Sequence, residues 1–277
     1  VGVAARYGAP LAAAGAARFL LDYGDRFVVE RVLGLSAVAV YSVPYDIAQR
    51  LAEGMLTPVQ LAIVPILFRL WAEQGGDAAA RFASQALSYT IALAVPIALL
   101  YWVLNDELIA VFASNKYSGA SALTPYLLPG VLLGGMNFMT VVGTTIRKRT
   151  ALLAANVCWV ALLNLGLNLV LVPRCGLVGA AVATTLSYAV LVGANACLSR
   201  SVLQLRIDAG ILIRSLAASG AMLLLVSAAA RADRTPVLDV ALRGVLGVAT
   251  IALCLAILDP HVRHWIGART AAIAGIR

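Results

Sequence analysis

A chain of 277 residues that is 62% hydrophobic and only 12% charged, with a mean hydropathy of +0.92, lies outside the range of soluble globular domains. It reads as an all-α membrane protein, because its apolar runs are long and unalternated, whereas barrel strands alternate over about 10 residues. A net charge of +8 then concerns the placement of loops and excludes nucleic acid as the natural partner.

In chain order, the first two predicted spans cover residues 9–33 and 35–70. The first contains RFLLDYGDRFVVER (18–31), with six charges, and the second contains YDIAQRLAEG (45–54) and Pro44, Pro58 and Pro65. Four charge-free runs follow at 82–105, 117–146, 151–172 and 175–199, each long enough to cross a hydrocarbon core of about 30 Å as a helix. Two shorter runs, 215–230 and 244–258, reach spanning length with their flanks around Ile211 and Leu238. The total is about eight transmembrane helices, an even number that puts both termini on one side. With that side cytoplasmic, twelve Lys and Arg residues, among them Arg147, Lys148 and Arg149, fall inside and five outside, as retention of basic loops requires.

The connections are too short to hold a soluble domain. In the longest, 105–121, FASNKYSGA reads as a short interfacial helix followed by a Ser/Gly turn, and Asp106 and Glu107 read as a loop end, since no histidine accompanies them for acid–base chemistry. Cys158, Cys197 and Cys254 lie in apolar spans and Cys175 in a turn, without the spacing of a disulfide framework or a zinc site. His261 and His264 lack a third ligand and read as interfacial. In LVPRCGLVGAAVATTLSYAVLV (171–192) one helix ends at Pro173 and the next enters through Gly179, Ala180 and Ala181, small residues that let helices approach closely in lipid. Asn156, Asn164 and Asn168 read as hydrogen-bonding residues between helices.

Projected at about 100° per residue, Arg18, Asp22, Asp25 and Arg26 fall within about 100° of arc. The pairs 18–22, 22–26 and 26–30 are each four apart, where side chains meet. A charge at a helix centre costs about 2.5–3.5 kcal/mol on insertion scales, so this face turns toward protein or water. Two readings are open: a neutral ladder of ion pairs that fixes the helix, or the wall of a hydrated cavity. Asp46, Arg50 and Glu53 repeat the pattern on the next helix, where Arg50 can pair with either acid.

The blocks DRFVVERVLGLSAVAVYSVPYDIA, PVQLAIVPILFRLWAEQGGDAAA, VFASNKYSGASALTPYLLPGVLL and LNLGLNLVLVPRCGLVGAAVATTLSYAVLV resemble, in order, those of polysaccharide-biosynthesis flippases. These are the O-antigen type lipid-linked oligosaccharide exporters of the multidrug/oligosaccharidyl-lipid/polysaccharide superfamily, and the similarity covers about residues 10–205. Such proteins have twelve to fourteen helices in two bundles around a central cavity. The chain resembles the second bundle, residues 1–205, followed by two additional helices and a short tail in 206–277. Because it begins at Val1 rather than Met, further sequence is expected upstream.

The resemblance implies an alternating-access flippase, not an enzyme, in a bacterial inner membrane, with both termini cytoplasmic. Its cargo would be a lipid-linked oligosaccharide, and its other partners membrane lipid and polysaccharide assembly proteins. No cofactor is implied, and a coupling ion would be a proton or sodium. It favours the cavity reading, with Arg18, Asp22, Asp25, Arg26, Asp46 and Arg50 as candidate substrate-binding residues. Arg18 and Arg26 would attract the phosphates and Asp22 would hold both arginines. The alternatives are an ion-coupled multidrug exporter of the same superfamily and a membrane-embedded glycosyltransferase or polymerase.

Overall fold

A backbone crossing lipid must satisfy its own hydrogen bonds, and the computed structural model does so with helices alone among the described residues, 2–113, 115–230 and 235–258. The basic residues Arg231 and Arg234, the histidines 261 and 264 and the tail from 259 onward lie outside them. The helices are α1 (Gly2–Leu33), α2 (Leu35–Gln74), α3 (Gly76–Val103), α4 (Asn105–Phe112), a 3-10 segment (Asn115–Leu123), α5 (Thr124–Ile146), α6 (Thr150–Ser199), α7 (Ala209–Ala228) and α8 (Pro236–Leu258). Six described helices are long and apolar enough to cross a membrane; α1, with its charges, is not among them.

The 50-residue α6 would be about 75 Å long if straight, far more than one crossing needs. It is divided at Gly176, whose φ of 59° and ψ of −141° leave the helical region for a conformation that glycine alone adopts without strain. Beyond the kink, a Cβ at Gly179 would lie 2.3 Å from the Leu171 carbonyl oxygen. The two halves of α6 therefore close into the hairpin expected from the sequence. Counting both halves separately makes seven, and the charged α1, long enough but not apolar enough, is the remaining helix of the expected eight.

Residues 105–121 fold differently from expectation. The short helix is α4, which precedes FASNKYSGA, and most of the Ser/Gly stretch is wound into the 3-10 segment. Asp106 and Glu107 stand in the first turn of α4, where carboxylates face the positive end of the helix dipole.

The chain forms two compact units, one of residues 1–84 and 116–205 and the other of 85–115 and 206 onward. The sequence suggested a division at 205 alone; residues 85–115 instead pack with the C-terminal helices. Leu100 and Leu104 form an apolar cluster with Met222, Val226 and Ile251, and the Ser215 hydroxyl donates to the Ala92 carbonyl at 2.7 Å. Two helices alone could not bury their apolar faces in this way. Arg243, inside α8, donates to Asp239 and to Glu107, both at 2.6 Å, and to the Val226 carbonyl at 3.1 Å. Arg18, Arg26, Arg50 and Arg243 are the four basic residues that the sorting of loops leaves inside spans, and Arg243 lies outside the charged stretches of α1 and α2. Its spacing of four from Asp239 was the available signal; its other partner Glu107, 136 positions away, was not legible.

In the first unit α5 lies against the second half of α6 along glycines. A Cβ at Gly130 would stand 2.9 Å from Thr185 Cα, and one at Gly134 would stand 2.8 Å from the Tyr188 ring. This GxxxG spacing permits backbone approach that any larger residue would block. Asn156 and Asn195 then bond at 2.8 Å, Asn195 donates to Asn137 at 3.0 Å, and Asn164 donates to Ser187 at 3.1 Å. These are the bonds between helices expected of Asn156 and Asn164, whereas Asn168 donates within its own helix to Asn164. Leu67, Ala79, Ala83, Val142 and Leu203 gather at one end of the unit, where Arg147 also donates to Ser201 Oγ at 3.1 Å.

Replacing Gly134 with Ala is expected to destabilise the protein by about 1–3 kcal/mol through overpacking. Gly166, with nothing within 4 Å of its Cβ position, is expected to accept Ala without loss. Thermal unfolding of the two variants in detergent checks the contrast.

Candidate functional site

The charged stretch of α1 meets α2 and the second half of α6 inside the first unit. At 1.5 Å per residue, Asp25 lies about 13 Å and Asp22 about 18 Å along α1 from the turn at Gly34, well away from the end of the helix. Neither carboxylate is left to lipid. Asp25, 1% exposed, accepts from Tyr41 Oη at 2.5 Å, from Thr184 Oγ1 at 3.1 Å and from the backbone N–H of Arg26 at 2.8 Å. Asp22 accepts from Arg18 Nε at 2.9 Å and from the Tyr188 hydroxyl.

Arg26 turns to α2. It donates to Ser42 Oγ at 3.0 Å and Asp46 Oδ1 at 2.5 Å, and its guanidinium lies 4.9 Å from the Tyr23 ring centroid and 5.0 Å from that of Tyr45, within cation–π range. Ser42 and Asp46 are one turn apart on α2, so together they offer a fork-shaped group two acceptors on one face. The ladder expected along α1 is therefore made only at Arg18–Asp22. Asp22 does not also hold Arg26, and Arg26 pairs across to α2 rather than with Glu30, which is exposed. Asp46 takes Arg26 in place of Arg50, whose nearest acid is Glu53 at 4.0 Å.

The six candidates thus separate. Asp25, Arg26 and Asp46 tie helices together, and Arg50 is 84% exposed. Arg18, held by Asp22, lines a cleft of about 190 Å³ with Tyr45, Gln49, Glu53, Thr57, Gln60 and Tyr188. Gln49, Thr57 and Gln60 were not singled out in the sequence, although a signal existed. Asp46, Arg50, Glu53, Thr57 and Gln60 recur at alternating intervals of four and three and are all exposed, which puts them within about 80° of one face over about 21 Å of α2. The charges drew attention and the uncharged members of the stripe did not. Among the described residues no group of His, Cys, Asp and Glu is arranged to hold a metal ion.

Removing a donor from Asp25 leaves a buried carboxylate short of a partner, which costs about 1–3 kcal/mol. Tyr41→Phe and Thr184→Val are each expected to lose stability in that range, and the double variant less than the sum, because both hydroxyls serve one oxygen. Denaturation of the three variants in detergent measures the coupling.

Residues 3–122 match the sequence family described as Polysaccharide biosynthesis protein. In fold the chain is similar to the solved structure of "Lipid II flippase MurJ, inward closed conformation", with a TM-score of 0.71 and 14% identity, over 90% of this chain and 53% of that one. The chain accordingly spans about half the length of that protein. No curated protein matches it. The ordered blocks noted in the sequence thus overlap a family match over residues 3–122, and the chain shares the fold of that solved structure over most of its length.

Proposed function

We propose that this chain is one helical bundle of an alternating-access flippase that carries a lipid-linked oligosaccharide across a bacterial inner membrane for polysaccharide or O-antigen assembly. The observation that carries the reading is the exposed polar stripe of α2. Three charges and two uncharged polar residues along about 21 Å of a spanning helix would cost about 8–10 kcal/mol for the charges alone if they faced lipid. Such a stripe belongs beside water, where a hydrated headgroup can pass while its prenyl tail stays in the bilayer. Arg18, at the edge of the same cleft, suits the phosphates: Nε is engaged by Asp22, and a guanidinium has five donors in all. The N-terminus is cytoplasmic, which puts the basic turn at Arg147–Arg149 inside.

Export of organic cations is the nearest competing activity, and it calls for an unbalanced carboxylate facing water. Asp22 and Asp46 are each paired with arginine, Asp25 is sealed under hydroxyls, and Glu53, the acid that lines the cleft, has Arg50 at 4.0 Å and shares the cleft with Arg18, so no acid there stands without a nearby arginine. A glycosyltransferase would need acid–base groups at an interface, and Glu107 is engaged by Arg243.

In the full-length protein, Arg18→Gln is expected to abolish glycan export with the amount of inserted protein unchanged, and Arg18→Lys to retain part of it, since charge survives without the planar fork. Thr184→Val removes a hydroxyl from the buried Asp25 without touching the cleft and is expected to keep export. A complementation assay in a flippase-deficient strain separates these outcomes, and efflux of a cationic dye by the same protein would support the competing activity.

Orientation is checked separately. In a cysteine-free background a cysteine replacing Thr150 is expected to resist a membrane-impermeant thiol reagent in intact cells, and one replacing Gly119 to react; the reverse pattern inverts the topology.

A further inference from the structure

The phosphate reading leaves most of the cleft unexplained. Its charged members nearly cancel, and its remaining polar lining comes from Gln49, Thr57, Gln60 and the tyrosines 45 and 188. A phosphate only accepts hydrogen bonds and is repelled by a carboxylate, so Glu53 beside it would be a liability. A sugar hydroxyl both donates and accepts. Glutamine and threonine side chains do the same, and a carboxylate accepts from hydroxyl donors strongly.

We propose that the cleft is a saccharide subsite, in which Glu53, Thr57 and Gln60 of α2 bind the hydroxyls of one sugar ring over the tyrosine-lined floor. The proposal rests on the transport reading above and names the part of the cargo that this wall recognises. Glu53 and Gln49 are preset by their own hydrogen bond of 2.9 Å, which lowers the ordering cost of binding. Tyr45 and Tyr188 are 2% and 4% exposed, with Arg26 and Arg18 over their rings; held by packing, and in the case of Tyr188 by Asp22, they close the floor of the cleft rigidly without presenting a ring face, so recognition falls to Glu53, Thr57 and Gln60. A volume of about 190 Å³ is below the roughly 300–1,000 Å³ of sites for drug-sized ligands, so the subsite holds one ring of a longer glycan. Arg18, at the edge of the same cleft, puts the phosphate end of the cargo beside that ring.

The test uses the purified full-length protein and four probes: a short-chain polyprenyl diphosphate without sugar, and the same lipid carrying glucose, galactose or N-acetylglucosamine. Wild-type protein is expected to bind at least one sugar-bearing probe about tenfold more tightly than the sugar-free lipid. The double variant Thr57→Val, Gln60→Leu is expected to erase that preference while its affinity for the sugar-free lipid stays within about twofold, which also reports that it is folded. Arg18→Gln is expected to weaken all four probes together. If no sugar improves binding to the wild type, or if the double variant weakens every probe equally, the saccharide subsite is refuted while the lipid-linked reading stands. If the wild type binds none of the four, both readings fall.

Discussion

A carboxylate buried away from water has to be supplied with donors by the protein, and in this chain the supply to Asp25, 1% exposed, comes from three directions. Its own helix gives the Arg26 backbone N–H, α2 gives the Tyr41 hydroxyl, and the second half of α6 gives Thr184. Segments separated by up to 159 positions must therefore be brought together before the charge is tolerable. Once they are, Asp22 on the next turn faces Tyr188, Arg26 reaches Ser42 and Asp46, and Arg18 is left at the edge of the cleft. The placement of Arg18 and Tyr188 at the cleft thus follows from satisfying one buried acid.

That dependence divides the polar residues of α1 and α2 into two populations. Asp25 and Arg26 are saturated with protein partners and set the spacing of helices. Arg18, Glu53, Thr57 and Gln60 have partners on at most one side and face the cleft. The first group resembles the neutral ladder considered from the sequence and the second the cavity wall. Both groups draw on more than one part of the fold: Arg18, Asp25 and Arg26 stand on α1, and Glu53, Thr57 and Gln60 on α2.

Much of this architecture was legible in composition. Uninterrupted apolar runs gave the spans from 82 to 199, and Gly176 with Pro173 gave the hairpin, because span length and backbone breakers are local properties. The small residues at 179–181 were read as a packing face, and Ala180 and Ala181 are fully buried. Pairings across helices were not legible. Helical projection finds Arg26 beside Asp22 and Glu30, yet Asp46 wins because Arg26 reaches the neighbouring helix as easily as its own next turn and finds two acceptors there. The association of residues 85–115 with α7 and α8 was hidden for a similar reason, since Leu100 and Met222 are ordinary apolar residues until a fold makes them neighbours. Gln49, Thr57 and Gln60 were passed over because polarity without charge looks unremarkable beside a run of acids and arginines.

The stripe on α2 has a further geometric consequence. Its members recur every seven residues in pairs, whereas a straight helix returns to the same angle only after 18, so a seven-residue repeat slips by about 20° each time. From Asp46 to Gln60 the slip is about 40°, and the polar track therefore winds slowly around the helix instead of running straight along it. A molecule that exchanged one contact for the next along this track would turn by the same angle as it advanced, combining translation with a shallow left-handed screw.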